Sequence, residues 1–301
     1  MARPFKRPLQ GLLLLNKALG PSSNQALQVI KKLFYVDKAG HTGTLDPLAS
    51  GMLPICVGAA TRYANYLLNA DKTYRATIRL GQSTTTGDRE GKIVSETALP
   101  LLSEKDVVAV LKNFVGVQQQ CPPMYSAIKQ KGKPLYELAR QGIEVERPLR
   151  EIEIYALELI HYDLVTLTLE VHCSKGTYIR TLAEDIGKKL ECAAHLHALH
   201  RLSIGAFQPD QMVSLVELQA LAQKGVGAID AWILPMEEAL KHYPAFSVSQ
   251  WWLQILRQGK SFVCAGLAPG LQRLYSQDGQ FHGLVMVDEL GCVRVERLLG
   301  F

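Results

Sequence analysis

Apolar positions along the chain fall into runs of two different periods. Residues 11–15 and 52–57 are unbroken apolar runs too short for a helix, and both are expected to be buried strands. Between them Ser22-Ser-Asn-Gln25 has the form of a capping box, after which Leu27, Ile30 and Phe34 recur at helical spacing. Residues 73–80 alternate, with Tyr74, Ala76, Ile78 and Leu80 on one side, and 152–173 hold two long alternating runs interrupted at Tyr162-Asp163, the pattern of an antiparallel pair. Helical spacing returns at 61–68, at 103–114 behind a Ser103/Asp106 cap, at 177–190 and at 214–222, while 195–207 reads as a strand. Strands mixed with helices, rather than strictly alternating with them, predict an α+β fold with a mixed, largely antiparallel sheet and flanking helices.

The breaks in periodicity set the organisation. Residues 37–51 form a Gly-, Thr- and Pro-rich loop, and 81–92 form a polar loop. From about 118 to 150 the chain is basic, aromatic and punctuated by Pro and Gly around an amphipathic 135–141 segment, as expected of an insertion. The pattern loosens at 233–244, so a boundary is expected there, dividing a main domain at 1–244 from a small, mainly β domain at 245–301 with strands near 283–287 and 292–298. A unit of under about 60 residues is marginal alone and is expected to pack on the main body.

Composition narrows the class without choosing a function. In 301 residues, 48% hydrophobic, there is ample material for a core, yet no apolar run approaches the roughly 20 residues of a membrane span. The basic start, Met1-Ala-Arg-Pro-Phe-Lys-Arg-Pro8, is followed by too few apolar residues for a signal peptide and reads as a basic arm. The six cysteines are scattered with no Cys-x-x-Cys pair, as in reduced cytoplasmic proteins. A net charge of +5 is compatible with a polyanionic partner.

Three stretches can carry chemistry. In 40–51 two glycines and two threonines precede Asp46, which lies between Leu45 and Pro47 and just before an apolar strand. An Asp-Pro pair is ordinarily a turn former, but a carboxylate beside the core needs a cation, and one so placed is a candidate nucleophile or base. Arg180, at the start of a half-buried helix after Ser174-Lys-Gly-Thr-Tyr178, can supply that cation and is expected to lower the Asp46 pKa. Tyr74 begins an alternating strand, where core packing and stacking on a substrate ring are equally compatible with its position.

Taken together, Asn16-Lys17, His41-Thr-Gly-Thr-Leu-Asp-Pro-Leu-Ala-Ser-Gly51, Lys72-Thr-Tyr-Arg75 with Arg79-Leu-Gly81, Pro122-Pro-Met-Tyr-Ser-Ala-Ile-Lys129 and Gly176-Thr-Tyr-Ile-Arg-Thr-Leu182 resemble the TruB family of tRNA pseudouridine synthases, over about 12–202. The resemblance implies the pseudouridine synthase fold and isomerisation of a uridine in the T-loop of tRNA, position 55, by base flipping, with no metal or organic cofactor. It implies that Asp46 is the catalytic aspartate, Tyr74 the tyrosine stacked on the target base and Arg180 the arginine paired with Asp46. His41 matches the histidine that props the space left by the flipped nucleotide, Lys17 and Tyr178 match further site positions, and Leu199 lines the uracil pocket. The 118–150 insertion, with Lys129, Lys131 and Lys133, is expected to grip the T-arm stem-loop through phosphates and shape, and 245–301 resembles a small RNA-binding, PUA-like domain. A monomer with no obligatory protein partner and no membrane is expected. The aspartate can attack C1′, attack the pyrimidine ring or remove a sugar proton, and all three remain open.

Competing readings are weaker. His195-Leu-His197 places two imidazoles on one side of a strand, but no nearby cysteine completes a zinc set, and 81–91 lacks the lysine and spacing of a P-loop. A non-catalytic RNA-binding protein would use the same basic insertion, and an aspartate phosphotransferase would need further carboxylates for Mg²⁺.

Overall fold

The computed structural model describes residues 6–126, 128–130 and 132–299. The chain begins with β1 (Gly11–Lys17), α1 (Ser23–Leu33), β2 (Ala39–His41) and β3 (Ala49–Val57). A 3-10 turn (Gly58–Tyr63) runs into α2 (Ala64–Leu68), then β4 (Lys72–Leu80), the hairpin β5 (Gln82–Thr84) and β6 (Ile93–Glu96), and α3 (Glu104–Leu111). Next come β7 (Gly116–Gln120), β8 (Lys129–Gln130), β9 (Lys133–Pro134) and α4 (Leu135–Arg140). The long hairpin β10 (Arg150–Tyr162) and β11 (Thr166–Cys173) leads to α5 (Ile179–Lys189), β12 (Ala194–Ile204), β13 (Val213–Ser214), α6 (Leu215–Ala222) and α7 (Val226–Asp230). The last part holds β14 (Ala245–Val248), α8 (Gln250–Arg257), β15 (Phe262–Val263), β16 (Gly270–Ser276), β17 (Phe281–Val287) and β18 (Cys292–Leu298).

The main sheet has the order β13-β1-β3-β12-β4-β11-β10-β7, with β2 also paired to β3. Only β1/β13 and β3/β12 are parallel, so the sheet is mixed and largely antiparallel, as expected. The α1 capping box forms as read, Ser22 with Gln25, and so does that of α3, Ser103 with Asp106. Two expectations shift. Residues 37–51 contain a short strand, β2, and the 118–150 insertion starts later than its composition suggests: Gln118, Gln119 and Gln120 pair with Ile152, Glu151 and Arg150 at the sheet edge. A polar run on an edge strand carries no apolar alternation to betray it.

Strand β3 carries Pro54 in its middle, where a proline normally breaks a ladder. It is tolerated because β3 changes partner there: Ala49, Ser50 and Gly51 pair with β12, whereas Ile55, Cys56 and Val57 pair with β2. The missing N–H falls in the gap. Gly51, with φ +99°, lies so close to β12 that a Cβ would sit 2.3 Å from the Arg201 carbonyl oxygen. That approach fixes Arg201 beneath the Asp46 loop.

One core joins β4, β10 and β11 to α3 and α5, and a second joins β1 and β3 to α1. On the opposite face of β1 and β3, Leu12, Leu14, Met52 and Tyr63 pack with Leu284 and Phe281 of the last part. The 245–301 segment forms its own five-stranded sheet, β14-β16-β17-β18-β15, with a core including Leu253, Leu274 and Val293. The Tyr63 hydroxyl donates to the Arg297 carbonyl at 2.9 Å, tying this small sheet to the main body.

Candidate active site

The loop bearing Asp46 is pinned on both sides. Leu45 and Leu48 are buried, the Ser23 hydroxyl donates to the Leu45 carbonyl and accepts from the Leu45 N–H, both at 2.8 Å, and Gly20 N–H donates to the Pro47 carbonyl at 2.9 Å. Asp46 is left facing a cavity of about 630 Å³, within the size range of small-ligand sites.

Arg180 reaches the same cavity from the first turn of α5. The turn before it is clamped by Gln120, whose side chain accepts from the Tyr178 N–H at 2.8 Å and donates to the Tyr178 carbonyl at 3.1 Å. The Arg180 side chain is only 9% exposed and pairs with Asp46 at 3.1 Å and with Asp88 at 3.5 Å. It also donates to the backbone carbonyls of Tyr125 at 2.7 Å and Thr86 at 3.3 Å. Asp88 is in turn held by the Thr86 hydroxyl at 2.6 Å and the Glu90 N–H at 3.1 Å. One guanidinium therefore serves two carboxylates and joins the Asp46 loop, the 84–91 loop and the root of the insertion.

Arg180 lowers the Asp46 pKa as expected, yet the net shift is upward. Burial raises the Asp46 pKa above the ordinary aspartate value, and the nearby Asp88 charge adds to the rise. Arg180 and Lys17 oppose it without cancelling it. The expectation weighed the cation above the loss of hydration, which here is the larger effect. Burial also pushes the hydroxyls of Tyr74 and Tyr178 up and the His41 imidazole down. Lys72 is lowered to about 8, chiefly by burial and then by the Arg201 charge.

Of the side chains read from the sequence, Asp46, Tyr74, Tyr178, Arg180 and Leu199 line the cavity together. Lys17 and His41 lie outside its lining. The Lys17 ammonium is buried and donates to the Ala18 and Pro21 carbonyls at 2.9 and 2.8 Å, fixing the β1–α1 turn. The buried His41 Nδ1 has no hydrogen-bond partner among the described residues. Lys129 and Lys133 are exposed on the β8/β9 ribbon, and Lys131 lies outside the described residues.

Sequence reasoning missed several lining groups: Asp88, Lys72, Arg201 and, from the insertion, Tyr136 and Arg140. Arg201 is 1% exposed and donates to the Met52 carbonyl at 2.7 Å and the Gly43 carbonyl at 2.8 Å, which ties the Asp46 loop to β12. The His195 Nδ1 lies 2.9 Å from the Gln82 carbonyl. Among the described residues no group of three or more His, Cys, Asp or Glu side chains converges, and no helix is long and apolar enough to cross a membrane. The arrangement offers a carboxylate beside a fixed cation over an aromatic floor, suited to nucleophilic or base chemistry on a flat, uncharged ring.

The family model of the TruB family pseudouridylate synthase N-terminal domain matches residues 31–179, and that of the tRNA pseudouridylate synthase B C-terminal domain matches 180–241. A Marinomonas sp. (strain MWYL1) protein named tRNA pseudouridine synthase B is 52% identical over 243 residues, 81% of this chain and 79% of its own. A protein of the same name from Coxiella burnetii (strain Dugway 5J108-111) is 48% identical over 283 residues, 93% and 91% of the two chains. Among solved structures, a chain of a Cbf5-Nop10-Gar1 complex superposes with a TM-score of 0.75 at 27% identity, covering 96% of this chain and 84% of that one. A chain of an H/ACA RNP bound to a substrate RNA containing 2′-deoxyuridine gives a TM-score of 0.73 at 25% identity, covering 97% and 85%.

Proposed function

The chain belongs to the TruB family of tRNA pseudouridine synthases, and from that premise we propose that it isomerises the uridine at position 55, in the T-loop of tRNA, with Asp46 as the catalytic residue. The observation that carries this reading is the Asp46 carboxylate, open to the cavity and 3.1 Å from Arg180, with Tyr74 in the floor.

A stacked uridine must leave the RNA to reach such a cavity, at a cost of a few kcal/mol. Tyr74 gives the extruded base a flat face and Leu199 an apolar wall. Asp46 acts in its ionised form to open the N1–C1′ bond. The base then turns, C5 bonds to C1′, the C5 proton is released and N1 takes up a proton. Arg180 holds the carboxylate in place and favours its charge against burial, while Asp88 fixes the far side of the guanidinium. His41 props the space left in the loop, and Lys17 and Tyr178 shape the site around Asp46. Exchanging the N1–C1′ bond for a C5–C1′ bond, with one proton lost from C5 and one gained at N1, involves no net redox change, so the reaction calls for no redox cofactor; EDTA is expected to leave it unaffected.

The main domain, 1–244, carries this chemistry. Its insertion grips the T-arm stem-loop through Lys129, Lys131 and Lys133, and the 245–301 domain adds RNA contacts. The enzyme is expected to act as a monomer in the cytoplasm, without an obligatory protein partner. Mapping pseudouridine in a tRNA transcript after treatment tests the target. Modification at position 55, lost when that uridine is replaced by cytidine, is expected; modification at another position would overturn the assignment.

A further inference from the structure

Lys72 occupies the wall of the cavity away from Asp46 and has no role in the chemistry above. It lies on the inward face of β4, two residues from Tyr74, so the two side chains leave the strand about 6.6 Å apart. That is roughly the step from a base to its own backbone. The residue is 7% exposed. Its ammonium donates to the Leu68 carbonyl at 2.9 Å and to the Ala70 carbonyl, leaving one of its three N–H bonds free of protein acceptors among the described residues.

No carboxylate forms an ion pair with Lys72 among the described residues. Asp71, next in sequence, receives the Tyr155 hydroxyl at 3.4 Å. The strongest charged neighbour is another cation, Arg201, and the exposed Lys175, next in sequence to the lining residues Ser174 and Gly176, has its ammonium on the Asn69 side-chain oxygen at 3.1 Å. Between the two lysines the cavity wall is Ser174, Gly176 and Thr177, and a Cβ at Gly176 would meet nothing within 4 Å, so a ligand can approach this backbone closely. A buried cation without an ion pair is costly; Cys173 and Asp71 offset only part of that cost, which holds the ammonium pKa down to about 8. An incoming anion removes the cost.

We propose that Lys72, assisted by Lys175, binds a backbone phosphate of the flipped nucleotide or its immediate neighbour, so that one wall of the cavity holds the RNA backbone while the other acts on the base. This rests on the reading that the cavity takes an extruded uridine. Clamping the phosphate fixes the ribose relative to Asp46 while the base turns.

The test is a methylphosphonate scan of a T-arm stem-loop RNA, neutralising one phosphate at a time around the target uridine, with the full-length enzyme. Wild type is expected to lose about tenfold or more in kcat/KM at one flanking phosphate, the range for one charged hydrogen bond. Lys72→Met is expected to lose a similar factor on unmodified RNA, to show no further loss at that phosphate, and to lower the salt slope of binding by about 0.7. Lys72→Arg restores part of the loss. A lysine that only caps the end of α2 would change thermal stability and leave the methylphosphonate penalty intact, which would overturn the proposal. So would a flat scan on wild type, a result that needs no variant to fold. Absence of any turnover on unmodified RNA would instead overturn the pseudouridylation reading.

Discussion

The floor of the cavity and the insertion beside it are built on opposite plans. The floor is made of buried charges: Arg180 is 7% exposed, Asp88 4% and Arg201 1%, each held by backbone carbonyls, hydroxyls or ion pairs. Between 121 and 149 only Pro122, Ser126 and Leu135 are buried among the described residues. This segment is tethered through few groups, among them Arg147, which donates to the Pro122 carbonyl at 3.1 Å, and the Tyr125 carbonyl on Arg180. Groups set in a low-dielectric frame keep their geometry during reaction. A sparsely packed, exposed segment yields easily and can shape itself to RNA. On the proposed reading, chemistry belongs to the floor and grip to the insertion. Arg180 is the joint between them, because one guanidinium nitrogen serves both the Asp46 carboxylate and the Tyr125 carbonyl.

The largest effect on this division comes from removing that joint. Arg180→Met leaves Asp88 buried without its cation, so unfolding free energy should fall by about 3–5 kcal/mol, and turnover by at least about 10³-fold as the ion pair that holds Asp46 vanishes. Denaturant unfolding and single-turnover kinetics measure the two losses. A gentler change separates the two regions more finely. Arg180→Lys cannot serve Asp46 and Asp88 from a planar fork, and a loss of about 10–100-fold in kcat is expected, with RNA affinity within about threefold of wild type. If affinity fell as far as kcat, the floor and the grip would not be separate.

A third effect concerns pH. The Asp46 pKa lies above the ordinary aspartate value, so the active carboxylate is lost at a higher pH than usual as the medium is acidified. The acid limb of the single-turnover rate should therefore lie at a higher pH than an ordinary aspartate would give. Asp88→Asn removes a like charge that contributes to the rise, and should move that limb to lower pH. An unmoved or raised limb would show that Asp88 does not act on Asp46 through charge. The smallest effect belongs to the insertion. Lys129→Met with Lys133→Met is expected to weaken RNA binding and reduce its salt slope by about 0.7–0.9 for each phosphate no longer neutralised, leaving the single-turnover rate at saturating RNA unchanged.

How much of this was legible in the sequence follows from which interactions are local. The α1 and α3 caps, the β4 alternation and the β10/β11 hairpin are local patterns, and all were readable. Helix α8 and the short strands β14 and β15 were not, since segments of eight, four and two residues depend on partners far along the chain. Asp46 stood out because the residues on either side of it set its loop. Asp88 did not, because only the tertiary placement of Arg180 and the bridge from Asp88 to Leu196 give it meaning. Arg201 was hidden by a bulge between Leu196 and Ala198, which reverses the inward and outward positions along β12, so simple alternation assigns it to the wrong face. The sign of the Asp46 shift was missed for a related reason, since burial is a property of the whole fold.

The most direct measurement is release of tritium from C5 of labelled uridine in a tRNA transcript, comparing wild type with Asp46→Asn under conditions where both bind the RNA. Stoichiometric release by wild type and a drop of at least about 10⁴-fold for Asp46→Asn, with RNA affinity kept, is the predicted result. Release by Asp46→Asn at the wild-type rate would contradict the account at its centre.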